Sequence, residues 1–193
     1  MFVKISEKFY SIQYPFSNDL MNRILTVFDR DKSTWLQQPD GKSEVPRLQF
    51  RPDESREAQM LYDELTVQIH RALLPAIEFA EEKTGTKLYQ NNPQFWYDPE
   101  GYINTIHDGD VSPNHFVNIQ IYLGDGNENM GTYCYDQTSM GFKTWMTVPY
   151  RQNCGYMMFE PTTTPHGMKH RVVRDRISIY QGFRATEIPS DIW

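Results

Sequence analysis

The chain has 193 residues, 39% of them hydrophobic and 14% aromatic, which suits one domain with a core of its own. A net charge of −6 argues against a nonspecific nucleic-acid binder, whose phosphate contacts need a basic face; only HRVVRDR, with Arg171, Arg174 and Arg176, is locally basic. No run of about eighteen apolar residues offers a membrane span, and two cysteines, Cys134 and Cys154, read as reduced thiols instead of a disulfide framework or zinc knuckle.

The opening MFVKISEKFYSIQYPF alternates apolar and polar residues and lacks the apolar block of a signal peptide, so a cytoplasmic protein is expected. Ser17 is placed to cap a helix whose Met21, Ile24, Leu25 and Phe28 share a face. DKSTWLQQPDGKSEVP then reads as a polar loop. From about Glu54 to Lys83, Leu61, Leu65, Ile69, Leu73 and Ile77 recur at four-residue steps, the mark of a long amphipathic helix. Pro75 is expected to kink it, and Gly85 to end it.

Beyond Gly85 the period changes to two. FVNIQIYL sets Val117, Ile119, Ile121 and Leu123 against Asn118, Gln120 and Tyr122. RISIYQGFR sets Ile177 and Ile179 against Arg176, Ser178 and Tyr180. YINTIH, GTYCY, TWMTV and YMMF are shorter strand candidates between turn residues. Helices followed by many short strands predict a β-sandwich or barrel buttressed by helices. Strands with one polar face predict a barrel interior that binds something.

Five histidines are present. His70 reads as a helix-edge residue, and His115 receives no role. His166 and His170 are four apart, but the preceding Thr-Thr-Thr-Pro and the intervening Gly167 favour a loop over a zinc-binding helix. His107, in IHDGDVSP, and His166, in TTTPHGM, each lie at a strand end, and carboxylates flank the first. Two imidazoles and a carboxylate on one face of an ion leave three positions open, as in non-haem Fe(II) oxygen-activating enzymes.

The segment GYINTIH…P…VNIQIYL…GTYCY…VPYRQNCGYMMF…PHGM…RISIY, within residues 94 to 184, resembles the 2-oxoglutarate/Fe(II)-dependent oxygenases, most closely their prolyl-4-hydroxylase-like branch. The resemblance implies a mainly β fold with N-terminal helices: a double-stranded β-helix (jelly-roll, cupin-like) core over 89–186 with helical support over 1–88, all one domain. It implies Fe(II) and 2-oxoglutarate as cofactor and cosubstrate, with ascorbate as a further candidate. His107 and His166 would be metal ligands. Arg176, ten residues past His166, would hold the outer carboxylate of 2-oxoglutarate, with Ser178 and Tyr122 beside it. A buried dicarboxylate needs a permanently charged, fork-shaped partner, and a hydroxyl two residues along the same strand points the same way. The implied reaction couples decarboxylation of 2-oxoglutarate to hydroxylation of a small-molecule or peptide substrate.

The carboxylate departs from the pattern, because the expected position is Gly109. Asp110 is the favoured ligand, with Gly109 as a bulge; two extra residues before VNIQIYL fit a local insertion. Asp108 would need a sharp turn, since neighbouring strand residues face opposite ways. A vacant position would instead suit a halide, as in related halogenases. Outside the oxygenases, the competing readings are a non-catalytic cupin-like binding protein and a degenerate oxygenase fold kept as an interaction module. Residues Asp31 to Pro46, with Trp35, and Asp136 to Thr144 are candidates for a rim over the site.

Overall fold

A computed structural model describes residues 2–38, 43–52, 55–108, 115–159 and 164–185. The expected first helix forms as α1 (Asn18–Phe28), with Ser17 Oγ accepting from the Leu20 amide at 3.2 Å. The second is α2 (Arg56–Thr84), capped by Ser55 and ended by Gly85, whose φ of 65° is the left-handed conformation glycine adopts without strain. Pro75 lies within α2, and the helix runs on through it. Burial of Leu65, Ile69, Leu73, Ala76 and Ala80 holds the turns on either side against the core.

The N-terminal region is less helical than expected. Its alternating start forms β1 (Phe2–Ser6) and β2 (Phe9–Gln13), an antiparallel pair. Part of the expected polar loop forms β3 (Leu36–Gln38), which pairs with β4 (Arg47–Gln49). Trp35 is buried at 4% exposure between Phe28 and Phe50, so it is a core residue and not part of a rim. Burying an indole against two rings outweighed the polar composition around it.

Twelve strands occur among the described residues. After α2 come β5 (Leu88–Gln90), β6 (Gln94–Asp98), β7 (His115–Tyr122), β8 (Thr132–Thr138), β9 (Gly141–Val148), β10 (Cys154–Phe159), β11 (His166–Gly167) and β12 (Arg176–Ala185). The large sheet runs β1-β2-β10-β7-β12-β6-β4-β3, with β5 also on β12; the small one runs β11-β8-β9. Their pairings are antiparallel. YINTIH is not a full strand: His107 alone bridges to His166, extending the small sheet by one residue pair.

The period of two places the core. Val117, Ile119, Ile121, Met157, Phe159, Ile179 and Phe95 face α1 and α2, where Phe79 meets Tyr10 edge-on and Tyr62 packs at a tilt against Phe95. The intervening residues face the small sheet. There Tyr122, Tyr156 and Met158 meet Cys134, Val148 and Met168 in a second cluster. Between the sheets the packing is incomplete, and a pocket remains. No helix among the described residues is long and apolar enough to cross a membrane.

Candidate functional site

The pocket has a volume of about 240 Å³ and takes walls from both sheets. His107 and His166 line it together, and there the chain pairs through two reciprocal backbone hydrogen bonds of 2.9 Å. Their ring centroids are 4.4 Å apart. His107 Nδ1 lies 2.8 Å from the Thr105 carbonyl, and His166 Nδ1 lies 2.7 Å from the Thr164 carbonyl. A carbonyl only accepts, so each Nδ1 carries a proton, which leaves Nε2 as the ring nitrogen that could coordinate a metal. The same backbone carbonyls fix ring orientation, as outer partners of metal-binding histidines do.

This pairing depends on Gly167. A Cβ at that position would lie 2.7 Å from the Thr105 carbonyl oxygen, the atom that orients His107. Gly167→Ala is therefore expected to destabilise the fold by about 1–3 kcal/mol and to weaken metal binding by roughly 10-fold through a displaced His107. Urea unfolding and metal titration of the same variant check both.

The pocket also borders a buried charge cluster that the sequence did not disclose as a unit. Asp98, with no exposed surface, is opposite Arg176 in the β6–β12 register and ion-paired to its Nη1. Arg47 reaches the same carboxylate from β4, with Nε 2.6 Å from Oδ1 and Nη2 3.1 Å from Oδ2. Burial pushes the Asp98 carboxyl up, but the two guanidiniums outweigh it and hold the group below its ordinary value. Arg176 Nε donates to the Met130 carbonyl at 2.7 Å, and its guanidinium lies 5.0 Å from the Tyr122 ring centroid.

Arg47, Arg176, Gln120 and Tyr156 line the pocket. Tyr122 and Ser178 stand behind it. Tyr122 donates its hydroxyl to Thr132 Oγ1 at 2.7 Å, and Thr132 is the one that faces the pocket. Ser178 Oγ accepts from Gln120 Nε2 at 3.0 Å, while Gln120 Oε1 accepts from the Tyr156 hydroxyl at 2.7 Å. Burial raises both the Tyr122 and Tyr156 phenols, keeping them neutral donors. Two pocket atoms, Trp96 Nε1 and Asn104 Oδ1, are buried without a hydrogen-bond partner. Such atoms are costly unless something else meets them.

Gly109 and Asp110 lie outside the described residues. Asp108 is exposed and lines a separate depression with Glu7, Tyr135, Asp136 and Trp145. Among the described residues no three His, Cys, Asp or Glu side chains gather where they could hold a metal.

No family model and no curated protein matches the chain. Solved structures do. A viral collagen prolyl hydroxylase from Paramecium Bursaria Chlorella virus-1, in complex with 2-oxoglutarate, is 14% identical over 93% of this chain and 97% of its own, with a TM-score of 0.57. A prolyl hydroxylase from Trichoplax adhaerens, bound to a peptide fragment of the hypoxia inducible factor oxygen degradation domain, is 12% identical over 93% and 84%, with a TM-score of 0.59. HygX from Streptomyces hygroscopicus, with nickel, 2-oxoglutarate and hygromycin B bound, is 16% identical over 93% and 83%, with a TM-score of 0.65.

The fold is that of the 2-oxoglutarate/Fe(II)-dependent oxygenases. In an oxygenase fold, the residues lining this pocket fit a metal and an anionic chelator. Two oriented imidazoles suit a borderline divalent ion. Two arginines sharing one aspartate leave a single surplus positive charge, and buried polar atoms lack partners. Sequence reasoning missed Arg47, Asp98, Trp96 and Asn104. For Asp98 and Trp96 a signal existed, since FWYDP continues the period of two toward Pro99. Nothing near Arg47 announced it.

Proposed function

We propose that the protein is an Fe(II)/2-oxoglutarate-dependent oxygenase that couples decarboxylation of 2-oxoglutarate to hydroxylation of a small molecule or peptide. The observation that carries this reading is one pocket holding both the His107–His166 pair and the Arg47–Asp98–Arg176 cluster. His107 and His166 would hold the iron through Nε2, and the arginine end would take the outer carboxylate. Bound there, the iron would supply activation of O2 by the 2-oxo acid. The protein's own part is to orient the two imidazoles, keep the outer carboxylate desolvated against guanidinium, and hold neutral phenols around it.

The topology supports a double-stranded β-helix within one domain. From β6 onward the chain alternates between sheets: β6 large, His107 small, β7 large, β8 and β9 small, β10 large, β11 small, β12 large. Peptide or small-molecule substrates are supported by the neighbours solved with a peptide fragment and with hygromycin B. Cys134 and Cys154, both free thiols, fit a reducing cytoplasm.

The third ligand is assigned to Asp110, supported by the exposed placement of Asp108 beside a different depression. Anaerobic addition of Fe(II) and 2-oxoglutarate is expected to give a visible charge-transfer band, and air is expected to release succinate. Asp110→Ala should remove band and turnover, while Asp108→Ala should leave both. An active Asp110→Ala variant would overturn the ligand assignment, and no band with no succinate would sink the enzyme reading. Products bearing chlorine would reveal an open coordination site instead.

A further inference from the structure

We infer that Arg47, acting through the shared Asp98, supplies the net positive charge that holds the outer carboxylate of the 2-oxo acid, and that Arg176 alone does not. The inference rests on the oxygenase reading and concerns which residues of this chain recognise the diacid.

Charge bookkeeping carries the argument. Asp98 is fully buried, and Arg176 is 2% exposed. Their ion pair, taken by itself, has no net charge. An anion entering the pocket would meet a dipole, with a carboxylate close behind the guanidinium. Arg176 is further committed, because its Nε donates to the Met130 carbonyl. Arg47 changes the sign of the site. It makes two contacts to Asp98, lines the same pocket, and its side chain is only 15% exposed. Two guanidiniums on one carboxylate leave one positive charge in a poorly solvated place, matched to one incoming carboxylate.

Trp96 adds an independent sign of a ligand here. The Arg47 guanidinium lies 4.4 Å from its ring centroid, and the indole Nε1–H is buried in the pocket wall without a partner. An indole N–H can only donate, so the missing group is an acceptor. A carboxylate oxygen held beside Arg47 is such a group, and it removes the cost of the orphaned donor.

The element involved explains why recognition is split. Arg176 and Asp98 are opposed across β12 and β6, inside the sheet core. Arg47 sits on β4, which joins β6 through Leu48↔Tyr97 and Gln49↔Trp96. Anion binding is thereby tied to correct docking of this N-terminal strand.

Calorimetry of Mn(II)-loaded protein compares 2-oxoglutarate with 2-oxopentanoate, which has the same chelating end and no outer carboxylate. The wild type is expected to prefer the diacid by roughly 100-fold, and Arg47→Gln to reduce that preference to a few-fold, about the loss expected when a buried charge partner is removed. Arg47→Lys should keep most of it, because charge and not fork geometry is decisive. Arg47→Gln combined with Asp98→Asn should restore it, since one arginine again stands uncancelled. Trp96→Phe should weaken both-end discrimination by about 5-fold through one lost hydrogen bond. An Arg47→Gln protein with wild-type preference overturns the inference, as does a folded double variant that stays unselective. If the double variant does not fold, Arg47→Lys against Arg47→Gln decides. A wild type that binds neither oxo acid overturns the oxygenase reading itself.

Discussion

His166→Ala is expected to lower divalent-metal affinity by more than about 100-fold and to abolish succinate release, with little change in stability. Displacing only the groups that orient a metal-binding histidine costs roughly 10–100-fold, so deleting the imidazole exceeds that range. The fold should tolerate the change, because His166 joins His107 through main-chain atoms: each amide donates to the other's carbonyl at 2.9 Å. An alanine keeps both bonds. What disappears is the ring held by the Thr164 carbonyl, 4.4 Å from its partner. His107→Ala should behave alike, since each ring is held through Nδ1 by the carbonyl two residues before it and both line the pocket. Competition with a chromogenic chelator measures metal affinity, and thermal unfolding in the presence of chelator measures the apo fold. Retained metal affinity in a folded His166→Ala protein would place the metal elsewhere.

Asp98→Ala is expected to cost about 3–5 kcal/mol of stability, the range for breaking a buried ion pair from one side. Two guanidiniums would be left facing each other, Arg176 almost wholly buried and Arg47 mostly so. The loss arises from uncompensated charge and not from the methylene removed. A control separates the two causes: Asp98→Ala with Arg47→Gln should recover part of the stability, because one of the two stranded cations is gone. Urea unfolding of the three proteins measures it. The same carboxylate predicts an acid response. Its folded value is depressed, so its contribution is complete above the ordinary carboxylate value of 3.8 and fades as pH falls below that toward the lower folded value. A chain whose acid stability is unaffected by Asp98→Asn would contradict this.

The strand pattern shows what local order can reveal. Asn118 and Gln120 on β7, with Arg176 and Tyr180 on β12, were legible as polar faces, because side chains alternate however the strand is paired. They do line the pocket. Ser178 and Tyr122 share those faces but stand behind it, hydrogen-bonded to Gln120 and Thr132. Face is a local property, whereas depth beneath the pocket surface depends on which side chains of neighbouring strands stand in front.

The N-terminal third shows the opposite. Polar and short, β3 and β4 have almost no pattern of their own. They are strands because β6 offers an edge to pair with, and that edge exists only once the sheet has formed.

By itself, the sequence determined the helices and the two-period strands, because capping, amphipathic spacing and alternation are set within a few residues. Only the tertiary structure decided that Asp98 meets Arg176 from 78 positions away, and that Arg47 joins them. A buried carboxylate is stable only where cations converge on it, and convergence is a property of strand order and register, which no short stretch of chain contains.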